Sequence, residues 1–175
     1  MTLWSFALTL YSDDELKTVC LELQDRYGMD VCLLLSLCWL SACDKVLSES
    51  EYDGLCTGVR QRQIATTSPI RALRRRAKLL ISPLSEKDVS HSFYQAVLAL
   101  ELQAERSTLR YAESYAATIM APDARCVVDP LSSQSLSFLA RNLSLYLTGF
   151  EMSSNQEKSV YQCFADAMAS LRCHH

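Results

Sequence analysis

Glycine and proline are scarce, four of each in 175 residues. Turn-rich and sheet-rich chains use more of both. Their shortage, beside plentiful Leu, Ala, Ser, Glu and Arg, favours helix. Histidine is scarcer still, at His91, His174 and His175. A di-iron bundle needs two Glu-x-x-His units, and none occurs. No GxGxxG or GxxxxGK[ST] loop is present, which excludes nucleotide binding by those routes. Paired aspartates of the DDxxD kind are also missing, because Asp13-Asp14 belongs to a helix start. No uncharged run approaches the roughly 20 apolar residues of a membrane span. The net charge of −3 names no partner.

Cysteine is the exception to this sparseness. Cys20, Cys32, Cys38, Cys43, Cys56, Cys126, Cys163 and Cys173 make eight. None forms a CxxC, and five sit in apolar helical faces. Disulfide frameworks belong to small, loop-rich secreted chains, so these cysteines are expected to be reduced and to act as small buried hydrophobes. The N-terminus has no positive residue before its apolar run and no small-residue cleavage site, which makes a poor signal peptide. A cytoplasmic protein is expected.

One stretch organises the rest. From Val31 to Cys43 no residue is charged. Ser36 and Ser41 can bond back to the helix's own carbonyls. Thirteen residues make a helix of roughly 20 Å, too short to cross a bilayer, so a buried core helix is predicted. Gly28 ends the helix before it and Asp30 caps its start. Elsewhere the spacing is amphipathic: Leu16, Val19, Cys20 and Leu23; Tyr52, Leu55, Cys56 and Val59; Leu136, Leu139, Leu143 and Leu147; Val160, Phe164, Ala167, Met168 and Leu171. Trp4, Phe6 and Leu8 are core candidates of a short first helix. Capping boxes are predicted at Ser12–Glu15, Ser48–Glu51, Ser154–Glu157 and, more loosely, Ser85–Asp88. Gly54 and Gly58 permit the close approach of a neighbour. Ser68-Pro69 should open a helix with an apolar face of Ile70, Leu73, Ala77, Leu80 and Ile81. The helix from about Asp88 to Ile119 is expected to break once near Gln103–Thr108, and a linker is expected over Ala121–Pro130. No stretch alternates like a strand. The prediction is an all-α bundle of six to eight helices forming a single domain over 1–175, with a helix over about 154–172 packed on the rest.

Charge is uneven. Between Asp53 and Glu86 there is no acid, while Arg60, Arg62, Arg71, Arg74, Arg75, Arg76 and Lys78 give +7, so the remainder carries −10. Arg71, Arg74, Arg75 and Lys78 share one stripe of a helical wheel, away from the Ile70/Leu73/Ala77 face. The stripe suits phosphates, anionic lipid or an acidic protein surface. Internal pairing is the stronger reading, because the N-terminal third from Asp13 to Asp53 holds ten acids and three bases, and Glu101 and Glu105 share a half-apolar face and call for a cation. Aromatic residues do not interleave with the stripe, which disfavours single-stranded nucleic acid. Cys173-His174-His175 offers too few ligands for a closed zinc site. Nothing in the sequence sets a cysteine beside His91 for nucleophilic catalysis. No cofactor is expected.

The pattern Trp4-x-Phe6-Ala7, Cys20-Leu21-x-Leu23-Gln24-Asp25-x-x-Gly28-x-Asp30-Val31-x-Leu33-Leu34-Leu35, then Trp39, resembles an uncharacterised family of short proteobacterial proteins, a domain of unknown function. The likeness continues through Pro69-Ile-Arg71-x-x-Arg74-Arg75 and Glu101-Leu-x-Ala-Glu105 to Asn142–Leu147, a family-like core over about 3–147. It implies a small bacterial cytoplasmic helical protein and brings no activity. Gln24-Asp25 beside the core helix is a candidate pocket wall.

Three functions remain open. The first is a non-catalytic helical protein that binds a protein partner. The second is a binder of nucleic acid or another polyanion through Arg71, Arg74, Arg75 and Lys78. The third is a small-ligand bundle or an enzyme that uses Glu101, Glu105, Gln24 and Asp25. Exposure separates them. A stripe facing water marks a binding surface, whereas a stripe locked onto Glu101 and Glu105 around a cavity marks a ligand site.

Overall fold

A computed structural model describes residues 1–80, 89–120 and 133–171. Among them no strand occurs, and the fold is all-α. The helices are α1 Leu3–Leu10, α2 Asp14–Tyr27, α3 Val31–Ala42, α4 Glu49–Arg62, α5 Ser68–Leu79, α6 Val89–Ile119, α7 Ser133–Leu147 and α8 Ser154–Ser170. A π-helical turn, Gln63–Thr67, joins α4 to α5. No helix is long and apolar enough to cross a membrane among the described residues.

The uncharged stretch becomes α3, buried at every position from Cys32 to Ala42. Ser36 and Ser41 donate to the carbonyls of Cys32 and Leu37. Helices α1, α4, α6 and α7 pack around it, while α8 lies on α2 and α7. Each leucine removed from water here stabilises the fold by roughly 1.5–3 kcal/mol. Asn142 of α7 is fully buried and holds the loop after α3. Its amide donates to Ser41 Oγ and Lys45 O, each at 2.9 Å, and accepts from Leu47 N at 3.0 Å.

The local signals hold at several points. Gly28 takes the left-handed conformation, φ 67°, at the end of α2, and Asp30 accepts from Leu33 N at the start of α3. The Ser48–Glu51 capping box forms. Gly54 and Gly58 seat the rings of Tyr115 and Tyr111 on α6, where any side chain would collide.

Other expectations are corrected. Asp13 caps α2, not Ser12, because its carboxylate reaches Leu16 N at 2.9 Å. The last box is one residue earlier, at Ser153 and Gln156. Leu8 is half exposed, and the α1 core is Leu3, Phe6, Ala7 and Leu10, the helical spacing. Helix α6 runs unbroken through Gln103–Thr108 for 31 residues, about 46 Å. Cys43 is disulfide-bonded, against the expected fully reduced set. Cys20, Cys32 and Cys38 are free and buried, and Cys56 and Cys163 are free and half-buried. The Ser85–Asp88 box, Ile81, the Ala121–Pro130 linker, Cys126 and Cys173-His174-His175 lie outside the described residues.

The largest departure is at α5. Ser68 does not open a new helix, because the chain runs on from α4 through the π-turn. Each π-type residue advances less around the axis than an α-residue, so α5 falls out of phase with α4. An unbroken α-helix would align Ile70, Leu73 and Ala77 with the buried Leu55 and Val59. Instead Thr67, Arg71 and Arg74 turn towards α6, and Ala77 is the only buried residue of α5.

Candidate functional site

Helix α5 packs chiefly on α6, and the two run antiparallel as an arm. Their seam is ionic. Arg71 Nε donates to Glu101 Oε1 and Arg71 Nη2 to Glu105 Oε1, each at 2.9 Å. Arg74 Nε donates to Glu101 Oε2, and its Nη2 reaches Glu101 Oε1 at 3.5 Å. The side chains of Arg71 and Arg74 are 18% and 23% exposed, that of Glu101 7%. Burial works against charge on Arg71, and the hydrogen bond to Glu101 with the charges of Glu105 and Glu101 outweighs it, raising its pKa. Burial raises the Glu105 carboxyl, while Arg71 opposes that shift.

With its arginines turned inward, α5 turns its leucines out. Leu73 is 41% and Leu80 66% exposed, and Phe93 and Leu100 of α6 are 44% and 52% exposed. In an antiparallel pair these four fall on one flank of the arm. Arg76 borders that stripe. Arg75 and Lys78 lie on the other flank with the exposed Leu98 and Leu102.

At its base the arm meets the body around Arg71, which lines two clefts. The larger is about 450 Å³ and reaches from Gly28–Asp30 across α4 to the end of α7. Asp30 is its floor. The Asp30 carboxylate accepts from Gln63 Nε2 at 3.1 Å, and its backbone N–H donates to Tyr146 Oη at 2.6 Å. Burial raises the Asp30 carboxyl, against its hydrogen bonds and the Arg71 charge. The smaller cleft, about 120 Å³, takes Gln24, Arg71 and Glu105 among its walls with the aromatic side chains of Trp4 and Tyr11.

The predicted stripe therefore splits. Arg71 and Arg74 join Glu101 and Glu105, and Gln24 comes to the same cluster. Arg75 reaches Asp25 at 3.5 Å, with both side chains mostly exposed, a contact worth little. Lys78 is exposed and has no ion pair among the described residues. Asp25 is not part of the Gln24 cleft. It lies on an open surface of α2 with Thr18, Leu21 and Glu22. Of the remaining cations, Arg62 lies 3.8 Å over the Tyr111 ring and Arg60 lines the larger cleft. Among the described residues, pairing of the stripe with the acidic N-terminal third, Asp13 to Asp53, reduces to the Arg75–Asp25 contact.

Sequence reasoning missed Gln63, Tyr146, Arg60 and Ser68 as cleft residues. Asp30 was visible only as a cap. The missed residues come from separate helices with no shared spacing. Spacing gave no signal, because Leu73 and Ala77 continue the Leu55/Val59 face in phase and the π-turn alone separates them. Burial raises the thiols, Cys20 to about 12 and Cys163 to about 11, so neither is a ready nucleophile. Among the described residues no group of three His, Cys, Asp or Glu could hold a metal ion.

The fold and clefts define an all-α bundle with a projecting, inside-out helical arm. The family model described as Protein of unknown function (DUF2390) matches residues 2–111, so the chain belongs to that family. The match takes in α3, the arm and the ion cluster and stops before α7, short of the likeness read as far as Leu147. No curated protein and no solved structure matches the chain.

Proposed function

We propose that the protein binds another protein through the α5–α6 arm, without catalysis of its own, and that the partner offers an acidic amphipathic helix. One observation carries this reading: α5 turns Arg71 and Arg74 into its seam with α6 and exposes Leu73 and Leu80. An amphipathic helix with its apolar face in water is a docking surface waiting for cover. Charge complementarity selects the occupant. Arg75, Arg76 and Lys78 border the apolar rows, and the described arm has no acidic side chain before Glu101. A second copy of this chain would set cation against cation, whereas an acidic helix meets both features. The reading includes a cytoplasmic location, which suits five free thiols. The Cys43 disulfide argues the other way, and a thiol count on protein taken from cells decides between them.

The test is cross-linking and capture with wild type and two folded variants. Leu73→Ser with Leu100→Ser removes the stripe, and Arg76→Glu with Lys78→Glu reverses the rim. Arg71 and Arg74 are left intact because they hold the arm together. The expected result is one acidic helical protein, held by wild type, lost from both variants, and rebound when purified. Capture of nucleic acid, with affinity falling steeply as salt is added, overturns the reading for a polyanion. A wild-type dimer broken by the leucine variant overturns it for a second copy. The same captured set on all three proteins removes the arm from consideration.

A further inference from the structure

We propose that the larger cleft binds a small zwitterion of the α-amino-acid kind, its ammonium at Asp30 and its carboxylate between Arg60 and Tyr146, with an apolar side chain in the remaining space. Several polar groups in this cleft keep bonding capacity that the fold does not use. Asp30 is a largely buried carboxylate with no ion pair among the described residues. Arg60 faces the same space and has no ion pair among the described residues. Tyr146 Oη accepts from Asp30 N–H, so its own proton is left to donate into the cleft. Burial keeps that phenol neutral, raising its pKa. The Ser68 hydroxyl also lines the cleft and has no hydrogen-bond partner among the described residues.

The charges in this wall are of both signs, and each sign narrows the ligand. An inorganic anion at Arg60 would be repelled by Asp30, whose charge Arg71 offsets only from a distance while it is paired with Glu101 and Glu105. A metal ion would find a single carboxylate where a hard cation needs several oxygens. A zwitterion satisfies both groups at once. Met29, Leu33, Val59 and Phe150 supply the apolar part of the wall, and Arg71, engaged with Glu101 and Glu105, stands at its edge. About 450 Å³ is the ordinary size of a small-molecule site. The wall also contains Gln63, the first residue of the π-turn, and π-type irregularities in helices recur at functional sites.

Isothermal titration of the intact protein with L-phenylalanine, L-leucine and L-methionine tests this. N-acetyl-L-phenylalanine lacks the ammonium and phenethylamine lacks the carboxylate. At least one free amino acid is expected to bind in the millimolar range or tighter, with phenethylamine and the N-acetyl compound each weakened by about tenfold or more. Arg60→Ala removes the carboxylate's partner at an exposed position. Asp30→Asn removes the charge while keeping a good N-cap. Both should stay folded by circular dichroism and lose about tenfold in affinity. No heat from any of the three amino acids up to about 10 mM overturns the proposal. So does equal binding of N-acetyl-L-phenylalanine, which would make the site one for plain organic anions, or undiminished affinity in both variants. The arm variants above leave Asp30, Arg60 and Tyr146 untouched, so the two readings fail separately.

Discussion

In α3 every side chain from Cys32 to Ala42 is buried and none is charged. In α5 Ala77 alone is buried, and Arg71 and Arg74 lie deeper than Leu73 and Leu80. The body is assembled by apolar burial, which is strong, non-directional and proportional to area. The arm is held by a few charge-assisted hydrogen bonds, which are directional and fail together when one partner goes. The two regions should therefore answer differently to the same kind of insult.

The largest effect is expected in the body. Leu37→Ala, at a fully buried site of α3, should destabilise by about 2–5 kcal/mol, read from the shift of a urea midpoint. A loss below about 1 kcal/mol would mean that α3 is not the centre of the core. Next is the seam of the arm. Glu101→Gln leaves Arg71 and Arg74 short of a counter-charge and should cost about 1–3 kcal/mol, less than a fully buried pair because both arginines are partly wet. Its signature is regional: amide hydrogen exchange should quicken in α5 and early α6 while α3 stays protected. Uniform loss of protection would erase the distinction between arm and body.

Alkaline pH probes the body alone. Thiols ionise near 9 when unfolded, whereas burial pushes Cys20 to about 12 and burial, with Glu15 adding, pushes Cys163 to about 11. Between those values the folded chain keeps protons that the unfolded chain has released. Stability therefore falls as pH rises above about 9. A melting temperature that drops by several degrees from about pH 8 to about pH 10 is expected, and Cys20→Ala should flatten that slope. A flat profile in wild type would mean that the thiols are not buried together. The smallest effect is on the outer stripe of the arm. Leu73→Ser with Leu80→Ser should move stability by less than about 1 kcal/mol while removing partner binding. A large loss of stability would place those leucines in a core.

Periodicity found the body because each body helix obeys its own spacing. Leu16, Cys20 and Leu23 bury as a set, as do Leu139, Leu143 and Leu147, and the α3 boundaries follow from Asp30 and the uncharged run. The caps of α2 and α8 were found to within a residue, since Ser12 and Asp13, or Ser153 and Ser154, are neighbours that can each cap a first turn and only geometry chooses between them. The pairing of Arg71 with Glu101 and Glu105 was legible as complementary charge. The orientation of α5 was not. Which face turns inward depends on the phase handed down from α4, and residues 63–67 contain no glycine or proline to mark the change. The larger cleft was illegible for another reason: Asp30, Arg60, Ser68 and Tyr146 meet only through tertiary packing.

The π-turn at Gln63–Thr67 can be restated as a length. It holds one residue more than an α-helix would need to cover the same rise. Each residue is worth about 100° of rotation, so the same residues wound as plain α-helix, without the π-turn, would carry α5 round until Ile70, Leu73 and Ala77 followed Leu55 and Val59 inward. Arg71 and Arg74 would swing away from Glu101, and the leucines now in water would close onto the bundle. How the chain winds over Gln63–Thr67 thus separates a sealed helical bundle from one that displays its hydrophobic side, and a chain without Ala65 would lose the turn yet keep the displayed form.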